Sequence, residues 1–499
     1  MADGRRTVWV LGDQLHRDIG ALGAARPADS RILLITASGK VDGRPWHRQR
    51  LHLILTAMAR FASELRAEGF EVDERVAPSM AAGIRAHRAE YGPDQVVVTE
   101  PNSRAARRLA DRLGITQVRS NQFLCHPEDF AAWARTRPGR LRMEDFYRWQ
   151  RRRLGVLMDG DEPAGGTWNL DADNRRPPPR DGRPWPAAPP FDLDDVDRRV
   201  IGALPDDAVG AEPIGLWPTS RNQALERLRD FVAQGLPQFG PHQDAMLGAE
   251  WKLAHSVLSS SLNLGLLHPT EVVRAAEAAY RDGAVPLASA EGFIRQVIGW
   301  REYVWGLAWW WEDHWPDANE LGAERPLPPA FVDGRTDMAC VSSVLGHVDA
   351  HGYAHHIERL MVLGNLCMLA GVRPNELVDW MWERFVDGAE WVMRPNVIGM
   401  ALHADGGRMA TKPYAGGGAY IKRMSDHCRG CRYDPSRRTG DDACPFTTLY
   451  WDFLDRHADR FGANHRMGNQ LSGLRRLDDL PGVRSRAAEV LDLLDRGEL

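Results

Sequence analysis

Over residues 1–130, short apolar runs alternate with stretches in which apolar residues recur every three to four positions. "TVWVLG" (Thr7 to Gly12), "RILLITA" (Arg31 to Ala37), "FEVDERV" (Phe70 to Val76) and "DQVVVTE" (Asp94 to Glu100) predict strands. "HRQRLHLILTAMARFASELRAEG" and "SRAARRLADRLG" predict amphipathic helices, the second closed by Gly114. Strands alternating with helices predict a mostly parallel sheet covered on both faces, a Rossmann-like α/β domain over 1–130. "LGDQL" (Leu11 to Leu15) follows the first strand, and such sheets collect ligands at the carboxyl ends of their strands. From Pro127 to Pro218 the pattern breaks. "RPPPRDGRPWPAAPP" (Arg176 to Pro190) is too rich in proline for a helix or a central strand, and residues 131–219 read as a connector. Over 220–499 nearly every segment has helical period. "NQALERLRDFVAQGL", "PTEVVRAAEAAYRDG", "AEGFIRQVIGWREYVWGLAWWWEDHW", "YAHHIERLMVLGNLCMLAG" and "PNELVDWMWERFVDG" predict an all-α domain.

At 499 residues the chain exceeds the usual length of one domain. Its 43% hydrophobic and 26% charged residues are those of an ordinary globular protein. No apolar run approaches the ~18 residues of a membrane span, and "MADGRRTVWVLGDQL" lacks the layout of a signal peptide. Six cysteines make no disulfide scaffold. The expectation is a cytoplasmic monomer without a membrane partner. A net charge of -5 gives no global footprint for nucleic acid, so a local patch would have to serve. "RTRPGRLRMEDFYRWQRRR" (Arg135 to Arg153) is the strongest basic stretch and carries aromatics; a solvated basic face is its plain alternative. Neither GxGxxG nor GxxxxGK[ST] occurs, so an ordinary dinucleotide or P-loop site is not supported. The 18 tryptophans suit a core, a stacking surface or an electron path.

"SDHCRGCRYDP" places Cys428 and Cys431 two residues apart. Cys367, in "LGNLCMLAG", reads as a core residue, and Cys125 has no partner nearby in sequence. Cys340, Cys428, Cys431 and Cys444 remain as a set of four. Four thiolates suit zinc or an iron–sulfur cluster, and plain free thiols are the third reading.

The residues around that pair carry a resemblance. "KPYAGGGAYIKRMSDHCRGCRYD" (Lys412 to Asp434) resembles the C-terminal signature of the prokaryotic iron–sulfur photolyases and cryptochromes, among which (6-4) photolyases are found. "GWREYVWGLAWW", "TDMAC", "HGYAHHIERLMVLGN", "RPNVIGMALHADGG", "VLGDQL" and "WNLDADNR" match as well, in order and over essentially the whole chain. The resemblance implies the photolyase/cryptochrome fold, with an antenna-type α/β domain and an all-α flavin domain. It implies a [4Fe–4S] cluster on Cys340, Cys428, Cys431 and Cys444. It implies FAD held by Ser256, Ser259 and Ser260, by Trp300 and Arg301, and by Asp387 and Asn396. Hydroxyls near a helix start suit a pyrophosphate, though a serine run is also an ordinary helix cap.

The activity implied is light-driven repair of (6-4) photoproducts in UV-damaged DNA. The lesion must leave the duplex to be reached. His356 is the implied proton donor with His355 beside it, and histidine's ordinary pKa of ~6.5 suits that role. In "WNLDADNR" the resemblance assigns Asp171 to a divalent cation such as Mg²⁺ and Arg175 to DNA. Several positions depart from the pattern. Val332 and Met381 stand where aromatics of a photoreduction chain are expected, while Trp380 and Trp382 remain as electron carriers. Met393 replaces an expected acidic residue. A ribityl-lumazine antenna is the implied second chromophore; His47 is kept, but Thr36, Ala37 and Arg50 differ from the expected residues. The alternative in another class is a cryptochrome-type blue-light photoreceptor without repair. A third is a colourless zinc-bound nucleic-acid protein.

Overall fold

The computed structural model describes residues 5–499. Strands β1 (Arg6–Val10), β2 (Ser30–Ala37), β3 (Glu71–Ala77), β4 (Val96–Thr99) and β5 (Thr116–Val118) form one parallel sheet in the order β3-β2-β1-β4-β5. β5 is only three residues long, with one apolar position, which is why its pattern is silent. Both faces of the sheet are covered. Val8, Val10, Ile32, Leu34 and Val97 enter one apolar cluster; Trp9, Leu11, Leu33, Ile35, Val96 and Val98 enter another. The period-two alternation of strand side chains is preserved although each run looks uniformly apolar.

Helix Arg48–Ala67 is capped by His47, whose ring accepts the Gln49 N–H; helix Arg104–Arg112 is capped by Ser103. Gly114, just past the second, has φ +60, a conformation that costs glycine little. The first sheet cluster also holds Leu262, Val297, Ile298 and Tyr353 from the helical half, so the two halves share apolar packing.

The stretch between them carries structure of its own. Residues 176–190 form neither helix nor strand, but helices Pro127–Arg135, Met143–Leu154 and Asp195–Ile201 flank them. Phe130, Trp133 and Phe146 pack with Tyr303 at ring separations of 5.1–6.5 Å. These aromatics tie the first two helices to helix Glu302–Trp310. Among the described residues no helix is long and apolar enough to cross a membrane.

Candidate active site

Three helical stretches of the C-terminal half, Arg295–Arg301, Glu358–Gly364 and Pro395–Ala401, widen to i→i+5 hydrogen bonding. Such widened turns bulge the backbone and collect at functional sites. All three face one cavity of about 300 Å³: Trp300 and Arg301 come from the first, Arg359 and Leu360 from the second, Asn396 and Met400 from the third. A strained loop closes another side. Leu253 and Val257 have φ of 44 and 51, and a β-branched residue pays of order 1–3 kcal/mol to stay there. Between them the loop presents His255 and Ser256 to the cavity.

The walls are largely apolar, with Phe239, Phe293, Val297, Trp391 and Met393 among them. One edge is polar. The Asp387 carboxylate accepts from both terminal nitrogens of Arg359 at 2.9 and 3.1 Å and from Ser259 Oγ at 2.7 Å. Its carbonyl accepts from Asn263 Nδ2 at 2.9 Å. Asn396 is anchored through Nδ2 to the Val392 carbonyl at 2.7 Å. Arg301 pairs with the buried Glu302 at 2.8 Å and lies 4.1 Å from the centre of the Phe123 ring. Burial raises Glu302 to about 7.

Histidines form the third feature. His356 is on the cavity wall, its side chain open to the cavity; desolvation by the surrounding walls, with Arg359 nearby, lowers its pKa to about 4. His355 is fully buried behind the wall, stacked on His255 with ring centres 4.5 Å apart and planes at 11°. Burial, followed by the charge of His356, lowers His255 to about 3.

Several buried polar atoms have no protein partner: Nε2 of His255, both ring nitrogens of His355, Oγ of Ser260 and Ser261, and Nε of Arg301. Buried polar groups are normally paired, so this set fits a site that a polar ligand completes. Of the residues singled out by sequence, Ser256, Ser259, Trp300, Arg301, His356, Asp387 and Asn396 meet at this one cavity. Ser260 and His355 lie just off it. His255, Arg359 and Trp391 were missed. His255 directly precedes Ser256 and Arg359 lies inside "HGYAHHIERLMVLGN", but nothing in the pattern showed which way they point.

The aromatics are arranged differently from a simple chain. Met381 lines the cavity, whereas Trp380 is buried, donates Nε1 to the Phe331 carbonyl at 2.7 Å and packs on Phe385. Trp382 packs edge-on against Trp46, ring centres 6.0 Å apart, under the Arg44 guanidinium. Val332 is 75% exposed. Trp391, on the cavity wall, packs against Trp305 at 5.6 Å, and Trp305 against Trp309 at 5.5 Å.

The four cysteines converge. Cys340 is in the first turn of helix Ala339–His351, Cys428 in the turn His427–Arg429, and Cys444 directly precedes helix Pro445–Arg456. With Cys431 they line one small cavity, and none is in a disulfide. Burial raises the Cys340 thiol, and the charges of Cys444, Cys428 and Cys431 raise it further; burial also pushes Cys428 up to about 11. A Cβ on Gly418 would meet Cys444 Sγ at 2.9 Å, so the helix start approaches as closely as glycine permits. Among the described residues no three His, Cys, Asp or Glu side chains close on a single metal-ion position.

Asp171 accepts from Arg295 at 3.0 Å and pairs with Arg175. Asp244 shares this neighbourhood, raised to about 6 by burial and by the charge of Asp171. In the basic stretch Arg151 is buried and donates to the carbonyls of Val156, Leu157 and Trp168, so it is structural. Arg135, Arg137, Arg142, Arg148 and Arg152 are exposed. His47 is buried with both ring nitrogens engaged, Nδ1 at Gln49 N and Nε2 3.0 Å from the Asp349 carbonyl.

The chain is similar to known proteins over its whole length. The model of the family described as "Deoxyribodipyrimidine photo-lyase-related protein" matches residues 8–210. A protein of Agrobacterium fabrum (strain C58 / ATCC 33970) named (6-4) photolyase is 40% identical over 509 residues, 98% of this chain and 99% of the relative. In fold the chain is similar to a bacterial class III photolyase from Agrobacterium tumefaciens, with a TM-score of 0.57, 16% identity and coverage of 99% and 98%. An archaeal photolyase from Sulfolobus tokodaii, solved with two FAD molecules, gives a TM-score of 0.52 at 14% identity, with coverage of 80% and 83%.

Proposed function

The chain belongs to the photolyase-related family, and from that premise we propose that it is a light-driven (6-4) DNA photolyase. The observation that carries the reading beyond the family is the single cavity that joins apolar and aromatic walls, the Asp387–Arg359 edge and His356. These residues fit FAD. Trp300, Trp391, Met381 and Met393 suit a flat ring system, the Asp387 edge suits its polar rim, and Ser256, Ser259 and Arg301 suit a pyrophosphate. Bound FAD, reduced and excited by blue light, supplies the electron that opens the lesion.

The chain's own part is to receive the extruded lesion, exclude water and place a proton. His356 is neutral at rest near pH 7, with its pKa about 4. An anionic nucleotide arriving beside it raises that pKa, because an opposite charge favours the protonated ring. Proton donation then becomes available only when substrate is present. The exposed arginines of the 135–153 stretch supply phosphate contacts, and Arg175 with the Asp171–Asp244 pair lies where a cation and the DNA backbone would be held.

Cys340, Cys428, Cys431 and Cys444 would hold a [4Fe–4S] cluster. The four thiols line one small cavity, and four cysteine thiolates are the donor set that such a cluster takes. Held there, it would tie helix Ala339–His351 to the last helices.

Met393 and Met381 on the cavity wall favour one rival, a photoreceptor that binds flavin without repair. The test is His356→Ala: it keeps flavin and iron and loses light-dependent repair. Unchanged repair in that variant removes His356 from the chemistry.

A further inference from the structure

Trp305 and Trp309 are four residues apart on helix Glu302–Trp310, so their rings sit one turn apart on one face. Arg301, one turn before Trp305, is on the cavity wall. Trp391 comes from helix Glu390–Arg394 and is on the same wall. Its ring centre is 5.6 Å from that of Trp305, and Trp305 is 5.5 Å from Trp309, with planes at 89° and 78°. Edge-on rings at this spacing are in contact. Phe123 fills the angle between the first two, stacked on Trp305 at 3.9 Å and edge-on to Trp391 at 5.0 Å. Trp305 is 1% exposed, whereas Trp309 is partly open to solvent. Three indoles in contact therefore run from the cavity to the surface.

Packing alone does not account for tryptophan here. The indole nitrogens of Trp305 and Trp309 are buried without a hydrogen-bond partner, although a buried indole N–H usually finds one. Phenylalanine would fill much of the same space without that cost. What tryptophan adds is a ring that gives up an electron more readily than phenylalanine does. The charges beside the rings are balanced. Arg301, 5.6 Å from the Trp391 ring centre, pairs with Glu302 at 2.8 Å. Arg107 lies 3.9 Å over Trp309 and 4.0 Å from Glu100, with the charges of Glu312, Glu128 and Asp111 also acting on it. The positive charge of an oxidised indole thus meets no bare cation. Trp380 is placed differently: its ring packs on Phe331 and Phe385, neither of which passes an electron on easily.

We propose that Trp391, Trp305 and Trp309 carry electrons, one at a time, from solution to the cavity. In blue light Trp391 loses an electron to the excited, oxidised flavin. Trp305 refills Trp391, and Trp309 refills Trp305. The vacancy comes to rest on Trp309, where a thiol in solution fills it. Two passes draw two electrons from two thiols, which leave as one disulfide and two protons; the protons that accompany flavin reduction come from that pool. The flavin's part rests on the function proposed above, whereas the contact of the three rings does not.

The test uses the full-length protein loaded with oxidised FAD, in blue light with dithiothreitol, followed by flavin absorbance and by transient absorption of tryptophan radicals. The wild type should form the radical and then reduce its flavin. Trp305→Phe should keep its flavin but lose the long-lived radical and the light-driven reduction. Trp309→Phe, changed at the partly exposed end where packing is least at stake, should lose them too. Both variants, reduced with dithionite instead, should repair in the light as the wild type does, which a merely structural fault would not allow. Unaltered light-driven reduction in either variant overturns the route. Loss of reduction in Trp380→Phe with none in Trp305→Phe overturns it as well. A wild type that repairs once reduced with dithionite but forms no tryptophan radical overturns the route and leaves repair standing. A wild type that is reduced through these rings yet repairs nothing overturns the repair reading and leaves the route standing.

Discussion

Asp387→Asn is the sharpest perturbation of the cavity. The wild-type carboxylate takes three hydrogen bonds, two from the Arg359 fork and one from Ser259. The pair is mostly buried, with side-chain exposures of 18% for Arg359 and 9% for Asp387. Removing one partner of a buried ion pair costs about 3–5 kcal/mol. Asparagine keeps the shape and one acceptor oxygen, which brings the expected loss to about 2–3 kcal/mol. If that edge also orders the flavin pocket, the same energy weakens flavin binding by roughly 30- to 150-fold at 1.4 kcal/mol per decade. The assay is equilibrium ultrafiltration of the flavin-loaded protein, read by bound flavin absorbance, together with urea unfolding of the flavin-free chain. The variant should lose flavin at concentrations where the wild type stays saturated, and its urea midpoint should fall. Unchanged flavin affinity with an unchanged midpoint would refute the claim that this pair builds the site.

Cys428→Ser should give little soluble, iron-containing protein; a normal iron content would refute its assignment as a ligand. Acidification should destabilise the flavin-free chain from about pH 6.5 down to about 4. His47, His351 and His403 have pKa values near 4 because burial disfavours the charged ring, so the unfolded state binds the extra protons in that window. For His47 alone, 1% exposed, the shift is worth about 3 kcal/mol. Asp244 and Asp405, raised to about 6, and Glu302, raised to about 7, act in the opposite direction and offset part of the loss. A urea midpoint that rises as pH falls through this window would contradict the burial of these rings. Gly306→Ala should unfold easily despite a gain of about 1 kcal/mol in helix propensity. The new Cβ would meet Phe130 Cδ2 at 2.0 Å in a ring cluster that cannot yield, and overpacking costs more than the propensity gain. Equal stability would refute that packing.

The sheet was legible because β-branched runs such as "VVVT" are bounded by turns and separated by helix-period segments. β5 was not, since three residues with one apolar position leave no period. The helices of the 127–201 stretch were hidden for another reason: their apolar residues, Phe130, Trp133 and Phe146, are few and aromatic rather than a long aliphatic stripe. Within the site, motif residues such as Asp387 and His356 were found because they belong to quoted strings. Their partners were not, because Arg359 and His255 acquire a role only from tertiary direction. The aim of a side chain inside a widened helical turn does not follow from spacing along an ideal helix. The four cysteines were countable in sequence, but their meeting depends on how helix Ala339–His351 packs beside the turn that holds Cys428.

The central claim is repair. The direct measurement is restoration of an oligonucleotide carrying a single (6-4) lesion by reduced, flavin-loaded protein with Mg²⁺, in blue light and in darkness. The account predicts intact thymines only in the light. No repair in the light, with flavin shown to be bound and reduced, would contradict it and leave the photoreceptor reading in its place.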